Sequence, residues 1–177
     1  MVARKGVLCL TAFALAILLA VGSGPVQAQT KSIRLSIATG GTGGVYYPLG
    51  GGMANVISKY VPNTEATAEV TSASVDNCKL LQAGKGDLAL IMADVGYDAL
   101  KGLDKFKASG PIPLRTVVVP YSNYMHFVTM EGTGIKSMKD LKGKRVSTGS
   151  PGSGTEVKAM RVLESYGYNG ERVSGQA

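Results

Sequence analysis

From residue 33 onward, segments with an apolar residue at every second position alternate along the chain with segments in which apolar residues have helical spacing. Residues 33–37 place an apolar side chain at every second position, which predicts a strand. Residues 45–61 place apolar side chains at helical spacing, which predicts a helix that Pro62 ends. The same alternation continues and predicts further strands at 66–71, 87–92, 116–119, 125–130 and 144–148, and helices at 74–82, 95–100, 137–141 and 154–166.

The order of these elements predicts the fold class. Strands that alternate with helices form an open α/β sheet with right-handed crossovers. The run at 87–92 is almost wholly apolar, which is typical of a parallel strand buried on both faces. A shift in composition follows at the flexible connection 131–134. We therefore expect a first lobe at 29–124, and a hinge strand with the start of a truncated second lobe at 125–177.

The N-terminal segment has the layout of an export signal. Two basic residues precede an apolar run at 7–21, a Gly/Pro break and small residues that allow a cut after Ala28. The run is shorter than the roughly 20 residues of a membrane-spanning helix. The sequence thus predicts a signal peptide at 1–28 and a periplasmic mature chain, with an uncleaved anchor as the alternative.

Net charge and cysteine content limit the kinds of partner and bond that the chain can have. Loss of Arg4 and Lys5 with the signal peptide would lower the formal charge from +7 to +5. This balance fits an anionic ligand or a lipid surface, but a solvated lysine-rich face is the interpretation that we favour. The basic cluster at 136–145 has no interleaved aromatic residues, so we expect no nucleic-acid partner. Cys78 would be the single remaining thiol, which predicts a core residue without a disulfide.

The sequence does not favour an enzyme. Its one histidine, His126, falls inside an apolar predicted strand, where a core role is commoner than a catalytic one. It contains no Gly-x-Ser-x-Gly motif, the signature of one class of hydrolases. The aspartates, including Asp94, are too scattered to indicate a metal or acid/base pair, and Asp94 can simply cap its helix. We expect no metal and no cofactor.

Candidate chemistry lies in four loops that follow predicted strands. In open α/β sheets ligands bind beyond the carboxyl ends of the strands, where loops lead into helix starts. Unpaired N–H groups and the positive dipole end of a helix suit a carboxylate or phosphate there. The loops are rich in glycine and hydroxyl residues and cover 39–47, 71–74, 93–94 and 147–155.

Two of these loops have competing interpretations. The fourth loop has the glycine spacing of a phosphate-binding loop, but Thr155 and Glu156 stand where Lys and Ser/Thr are needed. Ser153 and Glu156 match a capping box, so this loop either binds an anion or merely starts a helix. In the first loop Tyr46 occupies a position where a dinucleotide fingerprint requires glycine. Tyr46 is then either a core aromatic or a ligand contact.

Three consecutive glycines, Gly50 to Gly52, fall inside the first predicted helix. Each costs up to about 1 kcal/mol relative to alanine in a helix interior. Close packing of this helix on its sheet is the compensation that we expect.

Four motifs in order, at 40–50, 74–77, 84–89 and 140–155, resemble the TAXI family of solute receptors of tripartite ATP-independent periplasmic (TRAP) transporters. The resemblance implies a type II periplasmic-binding-protein fold and a monomer without catalytic activity. It also implies a ligand such as glutamate or a related dicarboxylate, and delivery to a TRAP membrane permease. The positions matching the family's cleft are Thr42, Gly43, Tyr46, Ser72, Asn77 and Asp94 in the first lobe and Ser150, Ser153, Gly154 and Thr155 in the second.

The chain departs from the family in two ways. Family members are longer, which is why we expect an incomplete second lobe. They also tend to carry Tyr-Pro-Glu where residues 121–123 here read Tyr-Ser-Asn, which can shift ligand choice. Two alternatives stay open at this point: an exported sensing domain that reports to a membrane kinase, and a receptor fragment that does not fold alone.

Overall fold

Strands and helices alternate along the part of the chain that the computed structural model describes, which is residues 32–168 and the backbone of 174–176. The predicted signal peptide lies outside these residues. The elements are β1 (Ile33–Ala38), α1 (Tyr46–Tyr60), β2 (Thr64–Glu69), α2 (Ser74–Gln82), β3 (Leu88–Ala89), α3 (Ala93–Lys101), β4 (Arg145–Ser147), α4 (Gly154–Ser165) and β5 (Ser174–Gln176).

A three-stranded parallel sheet with the order β2-β1-β3 forms the first part of the fold. β1 and β2 pair in register from Ile33 with Thr64 to Ala38 with Glu69. β3 is short, but the bonds from the Asp87 amide to Ser36 and from the Leu90 amide to Ala38 extend its ladder at both ends. The predicted mixed α/β class with a parallel sheet is therefore confirmed, and it is compatible with a periplasmic-binding-type fold.

Helix α1 packs on this sheet, and that packing explains one of the three consecutive glycines in the helix. A Cβ atom on Gly50 would collide with the Cγ2 atom of Thr39, which is fully buried at the end of β1. Gly51 and Gly52 are exposed, and a Cβ on either would meet nothing within 4 Å. Close packing as the reason for glycine is thus confirmed at position 50 and wrong at positions 51 and 52.

The largest buried cluster lies where α2, α3 and α4 meet. Cys78 is fully buried there, and desolvation raises the pKa of its thiol to about 12. A thiol with this pKa stays protonated and unreactive at neutral pH, so the predicted core role of Cys78 is confirmed. The other buried members of the cluster are Val75, Val95, Ala99, Phe106, Ile112 and Val157.

The strands expected at 116–119 and 125–130 are absent from the described residues. Residues 111–130 contain no helix or strand, and Val117 and Val128 are 81% and 91% exposed. An apolar run becomes a strand only when a neighbour satisfies its backbone groups, and no described strand pairs with either segment. His126 is exposed as well, so its predicted core role is wrong.

A second, smaller sheet consists of the parallel pair β4 and β5. β5 was not expected, because its Ser-Gly-Gln sequence has no apolar alternation. The predicted helix at 137–141 is a 3-10 turn, Met138–Leu141. Leu141, Leu163 and Tyr168 form the buried cluster beside it.

Helix α4 belongs to both clusters. Val157 packs with α2 and α3, whereas Leu163 packs with the 3-10 turn. The lobe boundary near residue 124 stays a prediction. Among residues 32–168 and 174–176, no helix has both the length and the apolar character needed to cross a membrane.

Candidate functional site

The first and second loops meet at the carboxyl ends of β1 and β2. Thr39 donates two hydrogen bonds to the Glu69 carbonyl, from its amide at 3.0 Å and from Oγ1 at 2.6 Å. The Thr71 amide donates to the Gly40 carbonyl at 3.4 Å. A Cβ on Gly40 would lie 3.3 Å from the Cβ of Ala73. The absence of a side chain at Gly40 therefore allows the two loops to touch.

Asn77 connects the loops through hydrogen bonds inside the protein, and its side chain is fully buried. Its Nδ2 donates to the carbonyl oxygens of Thr39 and Leu90, both at 2.8 Å. Its Oδ1 accepts a hydrogen bond from Thr71 Oγ1 at 2.7 Å. One side chain thus binds the ends of β1, β2 and β3 together. Because its amide is engaged inside the protein, the structure places Asn77 as a positioning group beneath the predicted site.

The second loop holds a residue in a strained conformation. Ala73 has a φ of 73° and a ψ of −145°, a region that residues other than glycine rarely occupy. Its amide donates to Thr71 Oγ1 at 3.0 Å, and its carbonyl accepts from the Asn77 amide at 2.8 Å. These bonds hold the strained residue directly before the first turn of α2.

The third loop joins this group through Ser74. Ser74 is buried, and its Oγ accepts a hydrogen bond from the Met92 amide at 3.0 Å. Met92 immediately precedes α3. The starts of α2 and α3 are therefore fixed side by side.

The fourth loop reaches the same place through its glycines. The Gly152 carbonyl accepts a hydrogen bond from the Val75 amide at 3.0 Å. A Cβ on Gly152 would lie 3.8 Å from Ser72 Cβ, and a Cβ on Gly154 would collide with Met92 Sδ. The turns that follow β1 and β4 therefore both contact the segment 72–75.

The capping box predicted for α4 forms in a shifted version. Ser153 Oγ accepts from the Glu156 amide at 3.0 Å, as expected. The Glu156 carboxylate instead accepts from the Gly152 amide at 2.8 Å, one residue earlier than predicted. The fourth loop therefore uses part of its donor capacity internally and carries a carboxylate at its helix start.

The first loop is the most open of the four. Thr42 and Gly43 are exposed, and no side chain of the described residues caps the start of α1. The first turn of α1 contains no acidic residue. The positive end of the α1 dipole thus has no carboxylate of its own helix beside it, which is the condition that favours an external anion.

Tyr46 lies half-buried at the first position of α1. Burial raises the pKa of its hydroxyl, Tyr121 acts in the same direction, and side-chain hydrogen bonds with Ser74 and Asn123 oppose the shift. Sequence reasoning did not include Tyr121 or Asn123 among the site residues. The available signal was the departure from the TAXI pattern at 121–123, a segment already linked to ligand choice.

Asp94 faces α4. It lies in the first turn of α3, and its carboxylate is 3.7 Å from Lys158 Nζ and 3.5 Å from Arg161 Nη1. The residue before α3 is Met92, and no side chain caps this helix among the described residues. The interpretation of Asp94 as the helix cap is therefore wrong.

The remaining predicted residues differ in exposure. Ser72, Ser150 and Thr155 are exposed, whereas Ser153 and Gly154 are the buried residues at the end of the fourth loop. Two cavities, of about 460 and 510 Å³, lie outside the segment 72–75, one beside Asp104, Arg161 and Glu156 and one along β4. Within the described residues, no group of three or more His, Cys, Asp or Glu side chains is arranged to hold a metal ion.

Comparison with known families assigns the chain to one of them. The model of the NMT1-like family matches residues 37–177, from near the end of β1 to the last residue. The match therefore includes all four loops and all the residues predicted for the site. The chain belongs to the NMT1-like family, which includes periplasmic solute-binding proteins.

Proposed function

We propose that this chain is an exported receptor that captures a small anionic solute at the convergent loops and delivers it to a TRAP-type membrane permease. Family membership supports a solute-binding role outside the cytoplasm. The resemblance of four ordered motifs to TAXI receptors supports the finer assignment to TRAP transport. It also supports glutamate or a related dicarboxylate as the ligand.

The observation that carries this proposal is the convergence of loops that lead into α1, α2 and α4 on the segment 72–75. A Cβ on Gly40 would lie 3.3 Å from Ala73, a Cβ on Gly152 would lie 3.8 Å from Ser72, and the Gly152 carbonyl accepts a hydrogen bond from the Val75 amide. Backbone amides at helix starts present partial positive charge in fixed directions. A carboxylate at this point would be bound by donors that are already in place.

The site residues divide into two roles in this account. Exposed or half-buried groups next to the convergence point contact the solute, whereas groups that are bonded or packed within the protein hold the loops in position. The proposed contacts are Thr42, Gly43, Tyr46, Ser72, Ser150 and Thr155, and the proposed supports are Asn77, Asp94, Ser153 and Gly154.

Binding without chemistry is sufficient for this role, and the family is a binding-protein family. The receptor acts as a monomer that is processed after Ala28 on export. N-terminal sequencing of protein recovered from the periplasm of a bacterial host tests this step. A mature chain that begins at Gln29 is the expected result, and an intact Met1 in the membrane fraction would contradict it.

Calorimetry on the full-length chain tests the ligand class. Glutamate, 2-oxoglutarate and succinate are titrated separately. Glutamine is the control, because it has the size of glutamate but one carboxylate fewer. Saturable heat is expected with at least one dicarboxylate and weaker binding with glutamine. Absence of heat with all three dicarboxylates would overturn this ligand class.

A further inference from the structure

Three aspartates surround one arginine where α3 meets α4. Arg161 Nη2 hydrogen-bonds to Asp98, and it also bonds Asp104 Oδ2 at 2.9 Å. Arg161 Nη1 lies 3.5 Å from Asp94 Oδ2, and Lys158 Nζ lies 3.7 Å from Asp94 Oδ1. We call these five residues, Asp94, Asp98, Asp104, Lys158 and Arg161, the ionic cluster.

Asp98 is the member of the ionic cluster that is most withdrawn from water, whereas the Arg161 and Asp104 side chains are 38% and 41% exposed. The Asp98 side chain is 12% exposed, and Arg161 is the cation that lies within ion-pair distance of it among the described residues. A carboxylate at this depth is costly unless a cation and hydrogen bonds compensate it. The hydrogen bond with Asp98 is also the main reason that the pKa of Arg161 is raised. Asp98 therefore strongly favours the position of α4 that brings Arg161 to it.

The same helix carries the fourth loop at its start. Val157 anchors α4 in the main cluster, and the ionic cluster begins one residue later at Lys158. At the other end of this rigid segment, the Gly152 carbonyl occupies the Val75 amide at 3.0 Å. A contact of the chain with itself thus takes up a helix-start donor of the proposed anion site.

We propose that the ionic cluster is a latch that holds the Gly152 carbonyl on the Val75 amide, with Arg161 as its positioning residue. The effect of the latch on ligand binding rests on the proposed function, because a solute carboxylate must displace the Gly152 carbonyl to reach the Val75 amide. The apparent affinity then equals the intrinsic affinity multiplied by the fraction of molecules in which the fourth loop is unseated, and the latch keeps that fraction small. Loosening the latch raises that affinity.

Amide hydrogen exchange measured by NMR on the full-length chain tests the latch without any ligand. Exchange at the Val75 amide is compared with exchange at the Cys78 amide of the same helix. Arg161→Met is expected to speed exchange at Val75 on the order of tenfold relative to Cys78, because the seat of the fourth loop opens locally. Arg161→Lys, which keeps the charge, is expected to restore part of the protection.

Two controls separate a latch from a general loss of stability. Arg115→Met removes an exposed arginine whose side chain bonds, among the described residues, only the neighbouring Leu114 carbonyl, and it should leave both amides unchanged. Sodium chloride at 1 M shortens the screening length to about 3 Å, so it should weaken the partly exposed pair of Arg161 with Asp104 and speed exchange at Val75 in the unmodified chain, though by less than Arg161→Met does. The salt measurement tests the latch even if the Arg161→Met variant does not fold.

Glutamate titrations of the same proteins test the coupling. Arg161→Met is expected to bind glutamate about three- to tenfold more tightly than the unmodified chain. Unchanged exchange at Val75 in both the variant and high salt would overturn the latch, whatever glutamate does. Faster exchange with no glutamate binding in any form would uphold the latch and contradict the proposed glutamate site instead. Faster exchange with unchanged or weaker glutamate binding would overturn the competition between the solute and Gly152.

Discussion

The amide of Val75 donates a hydrogen bond to the carbonyl of Gly152 at 3.0 Å and so joins the start of α2 to the loop before α4. The two residues follow different strands of different sheets, yet their loops share one place in the molecule. Helix starts that face a common point create a concentrated set of backbone donors. This relationship is the basis of the proposed anion site and of the latch.

Asn77→Ala is expected to destabilise the protein by about 3 kcal/mol or more. The substitution removes the Asn77 bonds that join the ends of the three strands, and buried groups left without partners cost roughly 1–3 kcal/mol each. The orphaned groups would be the carbonyls of Thr39 and Leu90 and the hydroxyl of Thr71. Urea denaturation measures the change. Asn55→Ala, at an exposed position of α1, should shift stability little, and an equal loss at both positions would contradict the account.

Gly50→Ala and Gly51→Ala are expected to act in opposite directions. A methyl group at position 50 collides with Thr39 Cγ2, so this variant should lose stability. Position 51 is open, and alanine there should gain up to about 1 kcal/mol from its better helix propensity. Thermal melts of the two variants provide the comparison. A gain at position 50 would mean that α1 does not approach the end of β1 as described.

Ala73→Gly is expected to raise the free energy of unfolding by about 1 kcal/mol. Glycine adopts the φ of 73° without steric cost, whereas a strained non-glycine residue costs of order 1–3 kcal/mol. Ala83→Gly is a suitable control, because Ala83 has an ordinary φ of −81° at the end of the same helix. That variant should lose stability. Denaturant titrations that show a loss for both variants would argue against strain at Ala73.

Asp140 is expected to make stability depend on acid pH. Hydrogen bonds from the Lys136 amide and from Ser137 lower the pKa of its carboxyl in the folded protein. A lowered folded pKa stabilises the protein above the unfolded value of about 3.9, and the contribution disappears as pH falls through the folded pKa. Asp140→Asn should therefore reduce the melting temperature at pH 7 and make little difference at pH 2. A constant difference between these pH values would contradict this origin.

The alternating sheet and helices could be predicted because their apolar periods are set locally. β1 and α1 lie within a few residues of their expected bounds, and Cys78 is buried as expected. The segments at 116–119 and 125–130 show why periodicity is insufficient. Val117 and Val128 have strong strand preference, but a strand also requires a partner that local sequence cannot reveal.

The candidate site could be predicted in location rather than in detail. Loop positions at strand ends indicated that the loops after β1, β2 and β4 would converge. Sequence could not show that the Glu156 carboxylate binds the Gly152 amide, since both interpretations of the capping motif use the same residues. It also could not show that Asp94 faces Lys158 and Arg161, because that contact depends on how α3 and α4 pack.

The most direct measurement of the central claim is an NMR titration of backbone amides in the full-length chain with glutamate. If helix-start amides capture the solute, saturable shifts should concentrate at residues 42–46 and 72–75. The amides that surround the two cavities, at 103–107 and 144–147, should move little. Shifts confined to either cavity, or no shifts at the starts of α1 and α2, would contradict the claim.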